Sequence, residues 1–209
     1  MKRLAFLNNP FTIALTGGIG SGKSFAGEIL SELGAIVVDS DQLSHQSLER
    51  GESGFDQVVS HFGDSILTNG EIDRKKLAQI VFENPNEKKV LESIIHPLVR
   101  EKWDEVVKLA PNGTVLVNLI PLLVETNGKA RFDLTITISA SEEIRKERLL
   151  KRGLYISQIE ARIKNQVSDT DRATYCDIEI LNNGTQAEFA QEITKIWQAQ
   201  ILPRVAEKI

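Results

Sequence analysis

In the stretch TIALTGGIGSGKSF, Thr12 to Phe25, four glycines and a lysine fall within seven residues. Gly17, four further residues and then Gly22-Lys23-Ser24 match the pattern of a phosphate-binding loop. The residue types are those the chemistry needs. Glycines let the backbone curl so that its N–H groups point inward at phosphate oxygens, and a helix starting where the loop ends adds the positive end of its dipole. Gly17, Gly18, Ile19, Gly20, Ser21, Gly22, Lys23 and Ser24, with Phe25 behind them, are therefore expected to hold a nucleoside triphosphate. Lys23 is expected to bridge its β- and γ-phosphates, and Ser24 to put a hydroxyl on the Mg²⁺ that they share. The loop alone does not select a reaction, since motor ATPases, GTPases and small-molecule kinases all use it.

The elements around the loop fit that use. Ile13 to Leu15 reads as a short buried strand, and Phe25, Ala26, Ile29, Leu30 and Leu33 then recur at helical spacing until Gly34 stops them. A second strand, Ala35 to Val38, delivers Asp39 and Asp41 to its carboxyl end. Further strands are expected at Thr114 to Ile120, Asp133 to Ser139 and Asp177 to Leu181. Five strands alternating with helices predict an α/β protein whose parallel sheet is covered on both faces. Ser157 with Glu160 and Thr185 with Glu188 have capping-box spacing, and Asn84-Pro85 with Glu87 is a variant of it. From Gln42 to Asn112 the pattern is helical with no convincing strand, which predicts a helical insertion. His96-Pro97 interrupts that pattern, and Pro97 is placed to open a new helix at its first turn. Glu142 to Arg172 is rich in Arg, Lys and Glu and broken by KRGLY, a composition that suits a mobile lid.

With 209 residues the chain is expected to form one domain with excursions. A net charge of −4 excludes a protein that coats nucleic acid or membrane through bulk charge, so any phosphate site is local. The single cysteine, Cys176, allows no internal disulfide and fits a reducing compartment. The start, MKRLAFLNNPF, carries too short an apolar run for a signal-peptide core, and no run approaches a bilayer span, so a cytoplasmic location is expected. The guanine-reading Asn-Lys-x-Asp and the switch Asp-x-x-Gly of regulatory GTPases are absent, as is the glycine-rich signature of transport ATPases. A strand ending in VVDSD, a helical insertion for an acceptor and a basic excursion after the fourth strand point to a phosphotransferase acting on a small molecule. A kinase of nucleosides or nucleotides, and a nucleotide-binding regulator without turnover, are the alternatives.

Six segments, LTGGIGSGKS, VVDSDQLSHQ, GEIDRKKLAQIVF, LESIIHPLVR, IPLLVE and ILNNG, in this order and spacing, resemble the dephospho-coenzyme A kinase family. The resemblance implies a three-layer P-loop NTPase fold with a nucleotide-binding core at 12–41 and 113–209, a helical CoA-binding insertion at 42–112 and a lid at 142–172. It further implies transfer of the γ-phosphoryl of ATP, with Mg²⁺, to the ribose 3′-hydroxyl of dephospho-CoA, and no nucleic-acid, membrane or protein partner.

Residue by residue, Asp41 matches the second carboxylate of the family's Asp-Ala-Asp, here Asp39-Ser40-Asp41, and is expected to orient the attacking hydroxyl and take its proton. Asp39, two residues earlier in an extended segment, is expected to face the same way and to hold Mg²⁺ through water, or else to cap the next helix. Arg148 and Arg152 lie one helical turn apart, and resemblance to the lid implies that they close on the ATP phosphates. His96-Pro97 with Arg100 one turn later implies the CoA side, and Arg74 is a weaker candidate there. Pro121 and Glu125 resemble the family's Pro-Leu-Leu-Phe-Glu, with Val124 in the Phe place. Asn182 and Gly184 match a segment near the adenine. The chain departs from the family at Arg152-Gly153, where Arg-Asp is usual. The third strand ends in Asn118, which cannot supply a metal-binding charge.

Overall fold

The computed structural model describes residues 9–208. The MKRLAFLN start, read above against a signal peptide, lies outside them. In chain order the elements are β1 (Phe11–Gly17), α1 (Lys23–Glu32), β2 (Ile36–Asp39), α2 (Ser40–Ser47), α3 (Ser53–Phe62), β3 (Leu67–Thr68), β4 (Glu71–Ile72), α4 (Arg74–Glu83) and α5 (Pro85–Leu109). They continue with β5 (Val115–Leu119), β6 (Leu134–Ser139), α6 (Glu142–Lys151), α7 (Ile156–Lys164), α8 (Asp169–Tyr175), β7 (Ile178–Leu181), α9 (Gln186–Ile196) and α10 (Leu202–Lys208). Two compact units result: one from the residues up to Asp39 and from Ala110 onward, the other from Ser40–Leu109.

The first unit is an α/β layer structure around a five-stranded parallel sheet in the order β2-β5-β1-β6-β7. Its strands are those expected from the sequence. Because side chains alternate across a strand, Ile13 and Leu15 of β1 and Leu134, Ile136 and Ile138 of β6 face one side. There they meet Ala26, Ile29 and Leu30 of α1 and Phe189, Ile193 and Ile196 of α9 in the largest core cluster. Ala14 faces the other way, against Leu123 and Cys176. Thr185 and Glu188 form the expected capping box of α9, with Thr185 N–H donating to Glu188 Oε2 at 2.8 Å.

Two aspartates repeat one device at the amino end of the sheet. Asp133, just before β6, accepts from the Thr12 N–H and hydroxyl of neighbouring β1 at 2.7 and 2.8 Å. Asp177, just before β7, takes the same two groups of Thr135 on β6 at 2.9 and 2.7 Å. Burial works against both charges. Lys208 and Thr12 at Asp133, and Lys129 and Thr135 at Asp177, outweigh it and hold both carboxyls below their ordinary pKa.

The second unit packs Leu48, Val58, Ile66 and Leu77 against α5 residues including Leu91, Ile94 and Ile95. It contains a strand pair that the helical reading of 42–112 omitted: β3 and β4 are antiparallel and joined by Asn69-Gly70. Both turn residues have positive φ, 54° and 80°, as a two-residue type I′ hairpin requires. A second correction concerns Pro97. It opens no helix, because α5 runs unbroken through it for 25 residues, and Pro85 holds the first turn instead, with Asn84 Oδ1 accepting from Asn86 N–H at 2.9 Å. The apolar stripe of Leu91, Ile94 and Ile95 anchors the helix where proline removes one backbone bond. The third correction is at α7, which starts before Ser157. Its N-cap is Tyr155, whose N–H is taken by Gln158 Oε1 at 3.2 Å, the same spacing as Ser157/Glu160 shifted by two residues.

Candidate active site

The glycine loop lies between β1 and α1, as its sequence requires. Gly17 ends the strand, Gly22 caps the helix with φ +104°, and Lys23, Ser24 and Phe25 form the first turn of α1. Ser24 is exposed, Lys23 and Phe25 are half-buried, and Phe25 packs on Phe189 with ring centroids 6.2 Å apart. One turn bond, Ser21 N–H to Gly18 O at 3.0 Å, tightens the loop.

What distinguishes the loop is the treatment of its carbonyls. The Arg145 Nε–H donates to Ile19 O at 3.0 Å. Arg148 Nη1 donates to Ser21 O at 3.3 Å and, at 3.5 Å, to Gly20 O. Asn182 Nδ2 donates to Ser21 O at 2.8 Å. Asn182 in turn accepts from Arg148 Nη2 on its backbone oxygen at 3.0 Å and on Oδ1 at 3.1 Å. Guanidinium groups only donate, so arginines can satisfy the carbonyl side of a loop and no other. In a trans peptide the N–H points opposite to the C=O, so holding Ile19 O and Ser21 O outward turns the Gly20 and Gly22 amides inward, while the Ser21 N–H closes the turn onto Gly18 O. Burial, with Arg152 nearby, pushes the Arg148 guanidinium below its ordinary pKa, yet it remains a cation in the working range.

Asn182 is thus buried against the loop itself, while Gly184, two residues on, is exposed. Arg152 is exposed at the end of α6. There Gly153 N–H and Leu154 N–H bond back to Leu150 O and Leu149 O, and Gly153 takes φ +84°, a left-handed stop for which glycine suits better than the usual aspartate. Pro121 follows β5 and is half-buried, and exposed Glu125 accepts from Val167 N–H at 3.3 Å. Asn118 is buried at 2% exposure inside β5. Asp39 is the last residue of β2. The extended segment stops there, because α2 begins at Ser40 and places Asp41 in its first turn, so the alternation expected to aim both carboxylates one way does not apply. A carboxylate in a first turn is favoured by the helix dipole.

The other expected residues lie within the second unit. Arg74 is exposed at the start of α4, His96 is half-buried on α5, and exposed Pro97 and Arg100 line an open groove of about 490 Å³ with Glu101 and Asp104. His61, to which sequence assigned nothing, pairs with Glu87 at 2.8 Å.

Sequence reading missed three residues at the loop. Arg145 is 5% exposed, and its Nη1 pairs with Asp169 Oδ2 at 2.6 Å. Asp169 also binds the buried Arg172. Gln166 Oε1 accepts from Ile19 N–H at 2.9 Å. The available signal was the spacing of Arg145 and Arg148, one turn apart on the same face; nothing local marks Asp169 or Gln166.

A phosphate cradle between the central strand of a parallel sheet and the helix after it defines a P-loop nucleotide-binding protein, of the architecture that small-molecule kinases share. A profile of the dephospho-CoA kinase family (CoaE) matches residues 11–188. A dephospho-CoA kinase of Geobacillus kaustophilus is 40% identical over 195 residues, 90% of this chain and 97% of that one. One from Frankia casuarinae is 37% identical over 199 residues, 94% of this chain and 86% of that one. The solved structure of dephospho-CoA kinase from Campylobacter jejuni superposes with a TM-score of 0.69 at 29% identity, covering 90% of this chain and 95% of that one. The chain belongs to the dephospho-CoA kinase family and is an ATP-dependent kinase.

Proposed function

We propose that this chain transfers the γ-phosphoryl group of ATP to the ribose 3′-hydroxyl of dephospho-CoA, giving CoA and ADP, the last step of coenzyme A synthesis. The observation that carries the reading is the loop at 17–24, with its carbonyls taken by Arg145, Arg148 and Asn182, in a chain that matches this family from 11 to 188. Phosphoryl transfer runs through a loose transition state, so the protein's contribution is placement and neutralisation of charge. Lys23 neutralises the β- and γ-phosphates. Asp41 orients the acceptor hydroxyl and takes its proton. Arg152, exposed at the end of α6, supplies further positive charge to the phosphates, and Arg148 braces the loop that carries them.

Mg²⁺ fits a site of this kind. Among the described residues no cluster of His, Cys, Asp or Glu is built to hold a metal alone, and Asn118 offers no charge. The exposed Ser24 hydroxyl and Asp39 are the groups to hold an ion that arrives with the nucleotide, where it neutralises phosphate charge. Residues 12–41 and 113–209 form the nucleotide-binding core of a single kinase domain, 42–112 binds the CoA portion through Arg74, His96, Pro97 and Arg100, and 142–172 acts as the lid, its base tied to the phosphate loop through Arg145 and Arg148, with Pro121 and Glu125 on the acceptor side. The reading places the enzyme in the cytoplasm without nucleic-acid, membrane or protein partners; among the described residues no helix is long and apolar enough to cross a membrane.

The test is ADP release from Mg·ATP in the presence of dephospho-CoA, adenosine or AMP, beside a folded Asp41→Asn protein. Turnover with dephospho-CoA alone, lost in the variant, is expected. Turnover with another acceptor and none with dephospho-CoA would overturn the assignment.

A further inference from the structure

We propose that Arg145 and Asp169 form a positioning pair that presets the phosphate loop for nucleotide, with Arg145 aiming the Gly20 amide and Asp169 holding Arg145 in place. The proposal rests on reading this loop as the ATP phosphate site and goes beyond it in naming what holds the loop in shape.

Three contacts carry it. First, the Nε–H of Arg145 takes Ile19 O at 3.0 Å. Ile19 O and Gly20 N–H belong to one planar trans peptide, so fixing the oxygen toward α6 points the amide the other way, into the concave side of the loop. Second, the guanidinium lies against Gly18: a Cβ built there would stand 2.8 Å from Nη1, so only glycine lets the arginine approach. Third, the same Nη1 is bound to Asp169 Oδ2 at 2.6 Å, and Asp169 Oδ1 is tied to Arg172, a side chain 1% exposed that also donates to Val167 O at 2.7 Å. The preceding peptide, Gly18–Ile19, is held as well, by Gln166 Oε1 accepting from Ile19 N–H at 2.9 Å.

The arrangement has a chemical reason. A free loop of four glycines among eight residues, Gly17 to Ser24, pays a large ordering cost when it closes on phosphate. Side chains that already hold its peptides in the receiving orientation remove part of that cost. A buried arginine can do so only if its charge is matched, and Asp169 matches it without touching the loop's amides. Arg145 does not contact phosphate in this proposal; it acts through the peptide it holds.

The experiment uses the full-length protein with Arg145→Met, which keeps the stem and removes the donors, Asp169→Asn, which keeps the shape and removes the charge, and the double variant. Mg·ADP affinity by titration calorimetry is read first, because it does not depend on which acceptor the enzyme uses, and KM for ATP and for dephospho-CoA follow. Each single variant is expected to weaken Mg·ADP about tenfold or more, the effect of losing a charge-assisted hydrogen bond. KM for dephospho-CoA should stay within about twofold, and the double variant should lose little more than the worse single one, since the pair acts as a unit. Arg145→Lys should recover part of the affinity. If Arg145→Met fails to fold, Asp169→Asn carries the test. Variants that lose thermal stability but bind Mg·ADP within about twofold of the unaltered protein would overturn the proposal. Failure of the dephospho-CoA assignment would leave the Mg·ADP result standing.

Discussion

Gly22 and Gly34 lie at the two ends of α1 with nearly the same φ, +104° and +105°, and very different surroundings. A Cβ on Gly34 meets nothing within 4 Å, whereas one on Gly22 overlaps Asn182 Nδ2. Alanine at either site pays for the left-handed conformation, roughly 1–2 kcal/mol. At Gly22 the methyl must also displace Asn182, breaking its 2.8 Å bond to Ser21 O and its 3.1 Å bond from Arg148. A neutral bond contributes about 1 kcal/mol and one to a charged group roughly 1.5–3 kcal/mol. Gly34→Ala should therefore cost about 1–2 kcal/mol, and Gly22→Ala about 3–6 kcal/mol. Urea denaturation of both variants, with Asn182→Ala alone and combined with Gly22→Ala, measures the terms separately. In the Asn182→Ala background the Gly22→Ala cost should shrink to the conformational part. Equal costs at Gly22 and Gly34, or a Gly22 cost indifferent to Asn182, would refute the account of how the loop is held.

Acid should weaken the first unit. Asp133 and Asp177 have folded pKa values below their unfolded ones, so the stability they give is complete above the ordinary carboxylate value near 4 and drains as pH falls through the folded values. Thermal melts from pH 6 to pH 2.5 should show that loss, and Asp133→Asn together with Asp177→Asn should flatten it. Burial raises the Cys176 thiol to about 11, so alkylation at pH 8 should be slow in the folded protein and rapid in denaturant. Pro97→Ala restores a backbone donor inside α5 and should raise the urea midpoint, by an amount equivalent to about 1–3 kcal/mol; a lowered midpoint would mean that the proline ring supplies packing the helix needs.

The parallel sheet and the phosphate loop were legible because each is written locally: strands such as FTIALT, ended by glycine, and a loop whose spacing is its chemistry. The capping box at Thr185 was legible for the same reason, while Ser157 had the right partner at the right distance and lost to Tyr155, because the end of α6 at Gly153-Leu154 sets where the next helix can begin. The hairpin at Asn69-Gly70 was signalled by its turn residues, but strands of two residues give no alternation to detect. Pro97 reads as a helix boundary by local rules and is overridden by the apolar stripe around it. Arg145 stands unmarked on an Arg- and Lys-rich helix, one turn before Arg148. Only the fold reveals that Asp169, 24 positions later, and the Ile19 peptide, 126 positions earlier, meet it.

The path of the chain from β2 to β5 has one further consequence. These strands are neighbours, Val37 beside Val117, yet the connection between them is the whole unit Ser40–Leu109 with its own core. Closing an unstructured loop of that length is entropically costly, and a segment that folds first removes much of the slack. A compact insertion thus lowers the closure cost of pairing β2 with β5 relative to an open chain of the same length. The same connectivity separates two duties: the strand register is set by pairings within the first unit, whereas Asp41, Arg74, His96 and Arg100, the positions proposed to serve the acceptor, all lie in the insertion.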